Sequence, residues 1–202
     1  MKAFKLVLVL FFSISCFSGC AAAEPQTKDF VDGKYFFHAP KSYTTSKIVI
    51  YKEERELELY ADSNLIGLFK IALGQNPVGA KDKEGDSKTP EGEYYICTSH
   101  DKTNFTYFLG VSYPNTQDAQ RNLDNGVIDK DTFNKIKDAI DKKKQPPWNT
   151  ALGGEIGIHG GGNERDWTVG CIAVSDRDIN IIKEYAPLKT PVLIYASREK
   201  AD

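Results

Sequence analysis

The chain has 202 residues, enough for one full hydrophobic core once an N-terminal segment is set aside. Apolar residues at 41% and charged residues at 27% give the balance of a folded globular protein, which excludes wholesale disorder. A formal charge of -2 argues against a nucleic-acid partner, which would require a basic stripe; the densest basic run, Lys142 to Lys144, sits among acids and reads as a solvated helix end.

Lys2 and Lys5 precede an apolar run, Leu6 to Ile14, and small residues follow at Ser18, Gly19 and Ala21 to Ala23. That layout is a secretory signal over residues 1–20. The run falls short of the roughly 20 apolar residues that a membrane span needs. Two processing routes are open. Phe17-Ser18-Gly19-Cys20 resembles a lipoprotein signal, in which Cys20 becomes the acylated first residue and anchors the protein to a membrane. Ordinary cleavage after Ala21-Ala22-Ala23 would instead release a soluble protein. Either route places the chain outside the cytoplasm, in the periplasm or cell envelope.

Residues 21–45 are mixed and polar without a clear period, and read as a tether into a domain spanning 46–198. Ile48 to Tyr51 is a β-branched run, Leu57, Leu59 and Ala61 alternate with polar partners, and Asp62-Ser63-Asn64 turns the chain into a return strand over Leu65 to Leu73. Gly74 to Pro90 is a long loop, of the kind that is functional or locally packed rather than idle. Strand signals resume at Glu93 to Thr98 and Phe105 to Val111. Helices are expected over Thr116 to Leu123 and Asp129 to Lys144, the second with Asp131 available as a cap and ended by Pro146-Pro147. Strands follow at Glu155 to His159 and Cys171 to Val174. A helix then starts at the N-cap Ser175, with Ile179, Ile182 and Ala186 as its apolar face, and Pro191 to Ala196 is the last strand. The sum is a mainly β domain with a helical insertion, and one helix after Cys171.

Chemistry concentrates between Glu155 and Val174. A strand delivers His159 at its end, followed by Gly160, Gly161 and Gly162, and Thr168-Val169-Gly170 leads into Cys171. A glycine before a cysteine frees backbone N–H groups to converge on one spot, as an oxyanion hole requires. A thiol of ordinary pKa, about 8.5, needs a base or an imidazolium beside it to react at neutral pH. Of the three histidines, His38 lies in the tether and His100 beside a loop, which leaves His159. From these residues alone two readings stay open: a Cys–His pair that forms a thioester, or a buried thiol and an unrelated imidazole. Structural zinc would want paired ligand spacing that is missing, and no metal, nucleotide or flavin site is implied. Cys97 reads as a buried free thiol, with a Cys97–Cys171 disulfide as the alternative.

Three blocks, in order, resemble the L,D-transpeptidase catalytic domain of the YkuD type. These are the strand pair ending in Leu73-Gly74, the run Gly85-Asp86-Ser87-Lys88-Thr89-Pro90-Glu91-Gly92, and Ile158-His159-Gly160 with Thr168-Val169-Gly170-Cys171-Ile172. The resemblance implies a YkuD-like β-sandwich acting on peptidoglycan stem peptides, with Cys171 as acylated nucleophile and His159 as base. It implies that the Gly160 carbonyl orients the imidazole and that backbone N–H groups around Gly170 and Cys171 hold the oxyanion. Thr168 takes the motif's hydroxyl position, as a substrate contact or as part of a local turn. Trp167 either walls the site or fills the core. Many members carry arginine two places after the cysteine, where this chain has Ala173; Arg165 and Lys88 are the candidate replacements, each equally an exposed surface charge. Transfer to an amine, hydrolysis of the same thioester, and wall binding with an inert cysteine are the three functional outcomes.

Overall fold

The computed structural model describes residues 28–101 and 103–201; the signal segment and Cys20 lie outside them. Ten strands form one curled sheet: β1 (Phe30–Asp32), β2 (Tyr35–Phe37), β3 (Ser46–Tyr51), β4 (Glu56–Ala61), β5 (Asn64–Lys70), β6 (Gly92–His100), β7 (Phe108–Val111), β8 (Gly157–His159), β9 (Ile172–Ala173) and β10 (Pro191–Tyr195). Their order across the sheet is β1-β2-β5-β4-β3-β10-β6-β7-β8-β9. Pairing is antiparallel except for β10 with β3 and β8 with β9. Helices α1 (Thr116–Asp124) and α2 (Lys130–Asp141) form the insertion between β7 and β8, and α3 (Asp176–Tyr185) follows β9.

The hydrophobic pattern explains the layering. Leu57, Leu59 and Ala61 alternate along β4 and all reach the core. Glu56 and Glu58, on the opposite face of β4, are also buried. Arg198 covers them, with Nη1 bonded to Glu58 Oε1 at 2.6 Å and Nη2 to Glu56 Oε2 at 2.7 Å. β3 is paired on both edges, by β4 and β10, and Ile48, Val49 and Ile50 are buried in succession. The expected face of α3 holds: Ile179, Ile182 and Ala186 are buried, and Ser175 caps the helix by accepting the Asp178 N–H at 3.1 Å. α2 is capped by Asp129, which accepts the Thr132 N–H at 2.8 Å, and not by Asp131.

The curl closes behind β5. Ala72 exchanges both backbone hydrogen bonds with Ala173 at 2.8 Å, and Gly74 bridges to Thr168. The two ends of the sandwich are thereby stitched together beside Cys171.

The segment expected to be a tether differs. Val31-Asp32-Gly33-Lys34-Tyr35 turns through Gly33, at φ +61, into a hairpin, and β2 pairs with β5 through Phe36↔Leu68 and Phe37↔Gly67. Phe37 is fully buried against Tyr185, with ring centroids 5.4 Å apart. Strands of three residues are too short to show an alternation, but the Asp-Gly pair is a hairpin signal that could have revealed them.

The insertion is docked on β6. Tyr94 Oη donates to Asp118 Oδ2 of α1 at 2.9 Å, and Tyr95 Oη to the Lys144 carbonyl at 2.6 Å.

Candidate active site

His159 ends β8 and is almost fully buried. Its Nδ1 lies 2.6 Å from the Gly160 carbonyl oxygen. A carbonyl can only accept, so Nδ1 carries the proton and the Nε2 lone pair is left as the base. The ring stacks on Phe105, with centroids 4.6 Å apart, and the Trp167 indole meets it edge-on at 5.6 Å. Burial among these rings holds the imidazole below its ordinary pKa, against the opposing pull of the Gly160 carbonyl. It is therefore neutral at pH 7.

Cys171 sits at the end of a tight turn. Thr168 Oγ1 donates to the Cys171 carbonyl at 2.8 Å and accepts the Gly170 N–H at 3.1 Å. Gly170 has φ +136, and a Cβ there would fall 2.7 Å from the Lys88 carbonyl oxygen. A Cβ on Gly74 would fall 2.1 Å from the Ser87 carbonyl oxygen. The two glycines let the Cys turn, the closing strand and the Thr-Pro loop lie against one another without intervening side chains.

That loop is braced from within the fold. Lys52, buried at the start of the β3–β4 turn, donates to the Gly79 carbonyl at 2.7 Å, the Thr89 carbonyl at 2.9 Å and Glu91 Oε1 at 2.8 Å. Asp86 accepts from the N–H groups of Asp82, Lys83 and Lys88 and from Lys81 Nζ. Thr89 Oγ1 accepts the Gly74 N–H at 3.2 Å.

The register of β8 and β9 aligns Ile158 with Ile172 and His159 with Ala173. Paired residues of neighbouring strands share a face, so His159 and Ala173 lie on one side of the sheet, and Cys171 immediately precedes β9. The thiol donates to the Glu155 carbonyl at 3.3 Å rather than to the imidazole. Burial pushes its pKa up to about 11; the Gly157 backbone and the Lys81 cation pull it down, and the Glu155 charge adds to the rise. Burial thus favours the neutral form of both the thiol and the imidazole.

The other expected residues divide. The Gly160 carbonyl meets His159 Nδ1. Gly170 and Cys171 both line the turn, but the Gly170 N–H is already held by Thr168, which removes it as an oxyanion donor. Thr168 is buried with its hydroxyl committed within the turn, so its part is local architecture rather than a substrate contact. Trp167 walls the imidazole, its Nε1 bonded to the Gly162 carbonyl at 3.0 Å. Ala173 is fully buried, and an arginine side chain has no room there. Arg165 is exposed and Lys88 half-buried; of the neighbouring cations, it is Lys81 whose charge reaches the Cys171 sulfur. Cys97 and Cys171 are both free thiols, and burial pushes Cys97 up to about 12. Phe105, Lys52 and Asp176 carry no signal as site residues in the sequence, because their roles depend on packing across the sheet; Asp86 stands within the Gly85–Gly92 run.

A model of the L,D-transpeptidase catalytic domain matches residues 45–194. The chain belongs to this family. Escherichia coli (strain K12) YafK is 34% identical over 77 residues, covering 35% of this chain and 31% of that protein. This chain thus matches about a third of that curated relative. The helical cell shape determining protein Pgp2 of Campylobacter jejuni superposes with a TM-score of 0.52 at 18% identity, over 88% of this chain and 53% of that one. Bdellovibrio bacteriovorus Bd1075 gives 0.51 at 20% identity, over 80% and 51%. These two likenesses are of fold.

Proposed function

We propose that this chain is a cysteine acyltransferase acting on peptidoglycan stem peptides, outside the cytoplasm. The observation that carries the reading is the Nδ1–Gly160 hydrogen bond, which leaves Nε2 as the base at the end of β8, the strand paired with the one that Cys171 leads into. Substrate binding turns the thiol from the Glu155 carbonyl toward Nε2. Sγ then bonds to the stem-peptide carbonyl carbon as its proton passes to Nε2. The Cys171 N–H holds the oxyanion, since the Gly170 N–H is occupied. The imidazolium returns the proton to the leaving amine as the C–N bond breaks. An acceptor amine attacks the thioester, gives its proton to Nε2, and regenerates the thiol.

Incubation with a carbapenem, an acyl-donor mimic, tests the first half by mass spectrometry. One adduct in the wild type and none in Cys171→Ala is expected. An unmodified wild type under conditions that acylate another family member would leave only an inert wall-binding module. Purified muropeptides test the second half, with cross-linked dimers as the expected product. Shortened or separated stems would instead show water as the acceptor, a second reading favoured by the buried Ala173 at the arginine position. Membrane anchoring through Cys20 belongs to the same proposal; Cys20→Ala should move the protein to the soluble fraction, and unchanged fractionation would refute it.

A further inference from the structure

Between β6 and β7 the backbone adopts a costly shape. The Tyr107 N–H donates to the Phe105 carbonyl at 2.7 Å, and Thr106 between them has φ +67. A γ-turn of this hand is rare, and a β-branched residue is poorly suited to positive φ. Strain of this kind persists only where the surroundings hold it.

The restraint here is Asp176, the first residue of α3. Its Oδ1 accepts from Thr106 Oγ1 at 2.6 Å and from the Gly161 N–H at 2.9 Å. Both bonds favour the ionised carboxylate and hold Asp176 below the usual carboxylate range.

What the turn positions is the surroundings of His159. The Phe105 ring stacks on the imidazole, and the Phe105 carbonyl also accepts the Gly160 N–H at 3.0 Å. The Gly161 N–H and the Gly160 carbonyl belong to one planar peptide unit, so fixing the first fixes the direction of the second. That carbonyl is the one holding the Nδ1 proton. Gly160 is enclosed by the same parts: a Cβ there would lie 2.4 Å from Asp176 Oδ1 and 2.8 Å from the Phe105 carbonyl oxygen.

We propose that Asp176, latched by Thr106, is a positioning residue that sets which imidazole nitrogen of His159 carries the proton. The inference rests on the acyl-transfer reading for its purpose, but its readout does not. The imidazole nitrogen NMR spectrum of the unreacted full chain contains three histidines, and His159 is assigned by its loss in His159→Gln. The wild type should show the Nδ1–H tautomer alone. Asp176→Ala should show both tautomers and slow carbapenem acylation by about tenfold, a fraction of what a general base supplies. Asp176→Asn keeps an acceptor oxygen and should restore the single tautomer and a rate within about threefold of wild type. Should Asp176→Ala fail to fold, Thr106→Val removes the latch hydroxyl at constant shape and should move both readouts the same way. A single Nδ1–H tautomer persisting in Asp176→Ala, or in Thr106→Val where that variant is used, would overturn the proposal. A wild type that never acylates, yet whose tautomer follows Asp176, sinks the acyl-transfer reading and leaves the positioning role standing.

Discussion

At Cys171 the loss of water outweighs every group that favours a thiolate. The Gly157 backbone and the Lys81 cation pull the pKa down, yet the thiol stays protonated to about 11. His159 is pushed the other way, below its ordinary 6.5, also by burial. Each group thus rests uncharged at pH 7, and in the proposed mechanism the proton moves only when an electrophile is present to take up the electrons on sulfur. Two outcomes follow for the free enzyme. Iodoacetamide alkylation of Cys171, followed by peptide mass spectrometry, should rise about tenfold per pH unit through the alkaline range, because it tracks the thiolate fraction. A plateau reached by about pH 8 would show a thiolate already formed. Carbapenem acylation, with Nε2 as the proposed base, should decline as pH falls with a midpoint below 6.5, because burial lowers the His159 pKa. A midpoint above 6.5 would contradict the burial argument.

The Thr-Pro loop is the element on which the Cys turn leans. Lys52 holds it by three hydrogen bonds from a buried position, and no flexible side chain intervenes between the Lys88 carbonyl and Gly170. Lys52→Met keeps the length and volume of the stem but leaves two carbonyls and Glu91 without their donor. A loss of about 3 kcal/mol is expected, as for a broken buried pair, seen as a lower thermal midpoint with slower acylation. Unchanged melting would show that the loop stands without this brace. The loop's composition, its Thr89-Pro90 and its glycines, was legible in the sequence, as were the hairpin β4–β5, the α3 cap and the His-Gly and Gly-Cys endings of β8 and the Cys turn. What holds them was not. Lys52 lies 37 positions from Thr89, and Phe105 is 54 from His159, so neither leaves a periodic or spacing signal. Thr106 reads as an ordinary strand residue, and the strand expected from Phe105 begins only at Phe108 because the γ-turn interrupts it.

On the scale of the whole molecule, the sheet reaches further toward the N-terminus than composition suggests. Phe37 is fully buried although its neighbours are polar or half-exposed, and the β1–β2 hairpin adds to β5 at the edge of the sandwich. Phe37→Ala should cost about 3–5 kcal/mol in urea unfolding, as for a large buried aromatic ring. A cost near zero would return residues 30–37 to the status of a linker. The opposite end of the sheet is closed by the paired bonds of Ala72 with Ala173, two residues beyond Cys171. Peroxide and mixed-disulfide chemistry both begin at a thiolate. A sulfur that stays protonated is a poor target for either, so the burial that raises its pKa also slows oxidation of the free thiol.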